Sequence, residues 1–117
     1  MYLIAQAVAV VVWWLALVLS SEFRGWFELD DGRRDVLNAF VLGDVVVLAG
    51  GSMVAAVALL RQVRSAPLWV AWVAGGCAYS TLSLAAWVAF GGVGAVGLVP
   101  MLVATSVTSA IAVDAGR

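Results

Sequence analysis

The sequence predicts an all-α integral membrane protein: an antiparallel bundle of four transmembrane helices, with a short interfacial helix between the first and the second. Three observations carry this. Of 117 residues, 65% are hydrophobic and 11% charged, with a mean hydropathy of +1.10; soluble domains are closer to half apolar and a quarter charged. The apolar residues gather in four runs, about 2–20, 36–60, 68–90 and 93–113, and each approaches the ~20 residues that cross a hydrocarbon core of about 30 Å. None of the runs alternates polar with apolar residues, which excludes the strands of a membrane barrel. Residues 1–117 are read as a single membrane domain.

The first run has no Lys or Arg before it and no small-x-small site after it. It is therefore expected to remain as an anchoring helix and not to be cleaved as a signal peptide. Gln6 lies near its end, where lipid headgroups are expected to satisfy it. Between the first and second runs, 20–35 is the one polar segment, holding Glu22, Arg24, Glu28, Asp30, Asp31, Arg33, Arg34 and Asp35. Phe23, Trp26 and Phe27 fall at i, i+3 and i+4, one face of a helical turn, and aromatic rings beside charges suit the headgroup level. The segment is expected to rest on the membrane through these rings. Asp30, Asp31 and Asp35 are expected to cap and complement the second helix rather than to hold a divalent cation. Ser65-Ala66-Pro67 opens the third helix, since a proline in the first turn loses no helical hydrogen bond. Gly91, Gly92, Gly94 and Gly97 make a tight connection to the fourth helix, which Pro100 is expected to kink.

Charge is nearly balanced. The net charge is −1 and there is neither Lys nor His, so nucleic acid is not an expected partner. The six basic side chains are Arg24, Arg33, Arg34, Arg61, Arg64 and Arg117, three to each side of the predicted topology. The N-terminal amine tips the positive-inside balance, so both termini are expected in the cytoplasm, across a bacterial inner membrane. A single cysteine, Cys77, sits in an apolar run and reads as a packing residue. No cofactor, metal or catalytic constellation is expected.

Asp44 breaks the apolar pattern at real cost. An Asp at the centre of a membrane helix is unfavourable by roughly 2.5–3.5 kcal/mol and usually faces protein or water. Leu48, Gly51, Ala55 and Ala58 follow it at helical spacing, a face rich in small residues on which another helix can approach closely. Asp44 is therefore expected to face a helix–helix interface, roughly 9–12 Å inside its helix. Matching depth across antiparallel neighbours places Trp13, Trp14, Tyr79, Ser80, Thr81, Ser83 and Thr105 at its level. Of these Trp13, Trp14, Tyr79, Thr81, Ser83 and Thr105 are the expected hydrogen-bond partners, and no Arg or Lys lies at that depth. Gly43, Gly51, Ala55, Gly75 and Gly76 are the expected packing positions.

The length and four-helix plan are similar to those of the small multidrug resistance exporters. Those proteins carry a functional Glu in the first helix, whereas here that helix holds only Gln6. The expected function is accordingly a non-enzymatic membrane subunit or accessory protein. It would form a homo-oligomer or join a larger membrane complex, packing in the lipid bilayer against partner helices. The alternative is an oligomeric small transporter or channel using Asp44. A lipid-modifying enzyme ranks last, because there is no His, no Lys and no carboxylate pair at one depth.

The topology is open to direct test. In a Cys77-free background, single cysteines at positions 30 and 64 are expected to react with impermeant thiol reagent from opposite sides of sealed vesicles. Labelling from the same side contradicts four crossings.

Overall fold

The computed structural model describes residues 1–27 and 34–117, excluding the side chains of 34–38. Among them every regular element is helical. Helix α1 spans Tyr2–Leu19, and the five-residue α2 spans Ser21–Gly25. A second long helix is built from α3 (Arg34–Gly43), a π-helical segment (Asp44–Gly50) and α4 (Gly51–Leu60). Then come α5 (Ala66–Gly91), a 3₁₀ turn (Ala95–Gly97) and α6 (Leu98–Ala115). Four helical stretches are long and apolar enough to cross a membrane, at Tyr2–Leu19, Ala39–Leu60, Ala66–Gly91 and Ala95–Ala115. They suggest a membrane protein.

These helices are apolar on every side, so hydrophobicity alone does not choose the inner face. In the second helix the inner face is marked by small residues, and in α1 by Gln6 and Trp14, which carry polar atoms. In α1 the buried residues Leu3, Gln6, Ala7, Trp14 and Leu17 recur at helical spacing, while Val8, Val11, Val12, Leu15 and Val18 point outward. The second helix buries Leu48, Ala49, Gly51, Ser52, Ala55, Ala56 and Ala58, nearly all of them small. Two glycines mark its closest approach to α5. A Cβ on Gly51 would lie 3.0 Å from Val73 Cγ2, and one on Gly76 only 2.7 Å from Val47 Cγ1. Leu3, Leu48, Ala55, Ala56, Val70, Val73 and Cys77 form the main core, against which Met101, Ala104, Ile111 and Ala112 of α6 pack.

The helix ends follow their chemistry. Ser20 caps α2 by accepting from the Phe23 N–H at 3.2 Å. Pro67 stands in the first turn of α5, as its sequence context predicts. Gly92 ends α5 in the left-handed region at φ 72°. Pro100 departs from expectation. Since α6 begins only at Leu98, the proline falls in the first turn, where no intrahelical donor is lost, and it starts the helix instead of kinking it. The end of α4 is closed by a pair of bonds, Val63 N–H to Ala58 O and Gln62 N–H to Leu59 O, both 3.0 Å. This is the Schellman arrangement, with Gln62 at φ 52° in the place usually held by glycine.

The expectation for 20–35 needs correction. Helix α2 ends at Gly25, and Phe23 does contact both Trp26 and Phe27, with ring centroids 5.5 and 5.7 Å apart, but the three rings do not all face outward. The chain instead turns Phe27 inward, where it is 3% exposed, while Trp26 stays 53% exposed. Trp13 meets the edges of Phe23 and Phe27 with ring centroids 5.2 and 5.5 Å apart, and Phe27 joins Trp14 and Leu17 in a second core cluster. Bare glycine surface receives the ring: a Cβ on Gly94 would come within 2.9 Å of Phe27 Cδ1, and one on Gly97 within 3.1 Å of its Cε1. The Trp87 indole donates to the Phe27 carbonyl at 3.0 Å. The start of this segment thus plugs the end of the helices instead of lying flat through three rings. Glu28, Asp30, Asp31, Arg33 and the Asp35 side chain lie outside the described residues.

Gln62 offers a simple stability test. Gln62→Gly removes the penalty of a side chain in the left-handed region, and is expected to stabilise the protein by about 1 kcal/mol. Unfolding in mixed detergent–SDS micelles would measure it.

Candidate functional site

Two polar layers are built into the helices, one near each end. The first is centred on Asp44, the opening residue of the π segment. The Trp14 indole N–H donates to Asp44 Oδ2 and the Ser80 hydroxyl donates to Oδ1, each at 3.2 Å. The acid therefore ties the second helix to α1 and to α5. Trp14 is buried, but Asp44 and Ser80 are only half-buried.

Other residues assigned to this layer by depth do different work. Trp13 turns to Phe23 and Phe27. Tyr79 is 71% exposed and points away from the helices. Thr81 and Thr105 join α5 to α6: their hydroxyls are 2.7 Å apart, and the Thr81 hydroxyl also lies within donating distance of the Cys77 carbonyl, at 2.8 Å, and of the Met101 carbonyl, at 3.2 Å. Ser83 is half-buried. Of the residues matched to Asp44 by depth, Trp14 and Ser80 bond it and the others point elsewhere. Adjacent residues on a helix diverge by about 100°, so Ser80 reaches Asp44 while its neighbours Tyr79 and Thr81 turn elsewhere.

Among the packing glycines, Gly51 and Gly76 make the close approaches given above, and Ala55 is fully buried. Gly43 and Gly75 do not share this role. A Cβ on either would meet nothing within 4 Å, and both are exposed.

The second layer is the more deeply buried, and sequence reasoning missed it. Gln6 Nε2 donates to Ser52 Oγ at 3.0 Å and makes a longer contact, 3.5 Å, to Cys77 Sγ; Gln6 Oε1 accepts from Thr108 Oγ1 at 2.9 Å. Gln6 is 7% exposed and its three partners are all fully buried. Each partner comes from a different helix, so one amide connects α1, α4, α5 and α6. The headgroup reading of Gln6 is thereby corrected. The amide is enclosed among side chains that are themselves fully buried and each carry a polar atom to meet it. A signal was present in the sequence, since Ser52 and Thr108 match Gln6 in depth just as Ser80 matches Asp44. Among the described residues no buried side-chain polar atom lacks a partner.

The two layers differ chemically. The Gln6 layer is neutral, closed and internally satisfied, and so suits a structural lock. The Asp44 layer contains the one acid within the four long apolar helices apart from Asp114, near the end of α6, and it is partly open. No known protein family, no curated protein and no solved structure matches this chain.

The lock is testable by subtraction. Thr108→Val is expected to orphan Gln6 Oε1 and to destabilise the protein by about 1 kcal/mol. Gln6→Leu combined with Thr108→Val is expected to cost less than the sum of the two single changes, because both partners of one bond are removed together. Additive losses in mixed-micelle unfolding would contradict the shared bond.

Proposed function

We propose that this chain is a non-enzymatic multi-pass membrane protein that works as a subunit or accessory protein, presenting the Asp44 side of an antiparallel four-helix bundle to a partner within the bilayer. The lengths and hydropathies of the four long helices support the membrane reading. Contacts support the antiparallel one: Gln6 meets Ser52 while Trp14 meets Asp44, so residue number rises along α1 as it falls along the second helix.

The observation that carries the subunit reading is the half-burial of Asp44. A carboxyl facing lipid is unfavourable by roughly 2.5–3.5 kcal/mol, and its two donors, each at 3.2 Å, leave lone pairs on both oxygens free to accept more. A partner helix that brings a further donor to this depth removes the remaining cost. The second copy of a homo-oligomer, or a different membrane protein, supplies such a helix.

Extraction from the native membrane in mild detergent, followed by native mass measurement, tests the reading. The wild type is expected above the 12.2 kDa of a single chain. Asp44→Leu is expected to fall to monomer, and Asp44→Asn, which keeps a carbonyl acceptor, to retain the assembly. A monomeric wild type overturns the proposal. An assembly unchanged by Asp44→Leu removes Asp44 from the interface.

A further inference from the structure

The second long helix changes its winding at Asp44. From there to Gly50 it runs as a π-helix, and the Gly51 N–H reaches back to the Val46 carbonyl as well as to that of Leu48. A π turn closes its hydrogen-bonded loop over one residue more than an α turn, and such turns are rare and brief.

The effect on side-chain direction follows from the winding. At about 100° per residue, Asp44 and Ser52, eight positions apart, would stand about 80° from each other around a plain α-helix. If the π turns absorb one residue, the pair is spaced as though seven apart, and the two side chains come within about 20° of one line. The contacts have this character. Asp44 accepts from Trp14 and Ser52 accepts from Gln6, so both residues face the same neighbour, α1. The α4 half of the helix is set closely against α5, where Gly51 leaves no room for a Cβ beside Val73 and Trp72. Val47 and Leu48 also pack onto Gly76, within the π segment itself.

We infer that the π segment is a one-residue insertion that aims Asp44: it brings the acid onto the face that already carries Ser52, so that both polar layers close on α1. The inference concerns the direction of Asp44 within its own chain and does not depend on a partner covering it. The mass measurement and the experiment below therefore fail separately.

The test is deletion. Val46 lies inside the π segment and Val54 inside α4, and both are exposed. Removing Val46 should let the segment close as α-helix, with Asp44 and Ser52 seven residues apart and still on one face. Removing Val54 should throw Ala55, Ala56 and Ala58 out of register. The readout is the indole ¹⁵N–¹H resonance of Trp14 in lipid bicelles, identified by its loss in Trp14→Phe; its dependence on the acid is calibrated by its displacement in Asp44→Asn. The Val46 deletion is expected to fold and to keep the Trp14 signal at the wild-type position, whereas the Val54 deletion is expected to lose dispersion across the spectrum. Three results each overturn the inference: a Trp14 signal moved to the Asp44→Asn position in the Val46 deletion, failure of that deletion to fold, or equal tolerance of both deletions.

Discussion

One amide organises this molecule. Gln6 is the point at which α1, α4, α5 and α6 meet through side-chain polar atoms, using both its donor and its acceptor ends. The importance of that contact follows from the composition of the helices. When every face is apolar, sliding or rotating one helix against another exchanges one set of apolar contacts for a similar set, and in lipid there is no solvent to penalise the wrong one. A buried amide changes this, because any register that separates it from Ser52 or Thr108 leaves polar atoms unpaired in a dry interior. Gln6 therefore supplies specificity to helices whose packing alone is permissive.

Close packing and polar bonding support each other here. Gln6 bonds Ser52, and Ser52 lies beside Gly51, one of the two glycines at which the second helix and α5 approach closely. At the opposite end an aromatic plug takes over. Phe27 fills the space left by Gly94 and Gly97, and Trp13 covers it from α1. Glycine at 94 answers two needs at once: it adopts φ 85°, and it leaves room for the ring.

The sequence disclosed the four long helices because their signal is one-dimensional: enough consecutive apolar residues, bounded by Pro67, by the glycines around 92 and by the polar segment. The Trp14 partner of Asp44 was legible for the same reason, since matching positions between neighbouring helices are counted along the chain. Azimuth was less legible. Tyr79, Ser80 and Thr81 share a depth, yet the first points outward, the second bonds Asp44 and the third bonds α6. The π segment compounds the difficulty, because a helical wheel drawn at constant winding misplaces every residue on one side of it relative to the other. Gln6 escaped notice for a different reason. Its position near a helix end suggested access to headgroups, and only the three-dimensional convergence of three small polar residues shows that it is enclosed.

The contrast between the two layers explains why function is sought at Asp44 and not at Gln6. A neutral amide with all its bonds made can be buried once and left alone; its chemistry is finished when the helices pack. A carboxyl bound by only two donors, half-buried and set at the start of a π turn, has not reached that state. It retains acceptor capacity, and it faces the end of the molecule where an aromatic plug, rather than interlocking backbone, closes the structure. The fold thus places its rigid polar contact at one depth and its incompletely satisfied one at another, with Gly51 and Gly76 fixing the helices between them. Within the long apolar helices Asp44 is thus the carboxylate that keeps acceptor capacity, while the Gln6 amide is already engaged with α4, α5 and α6.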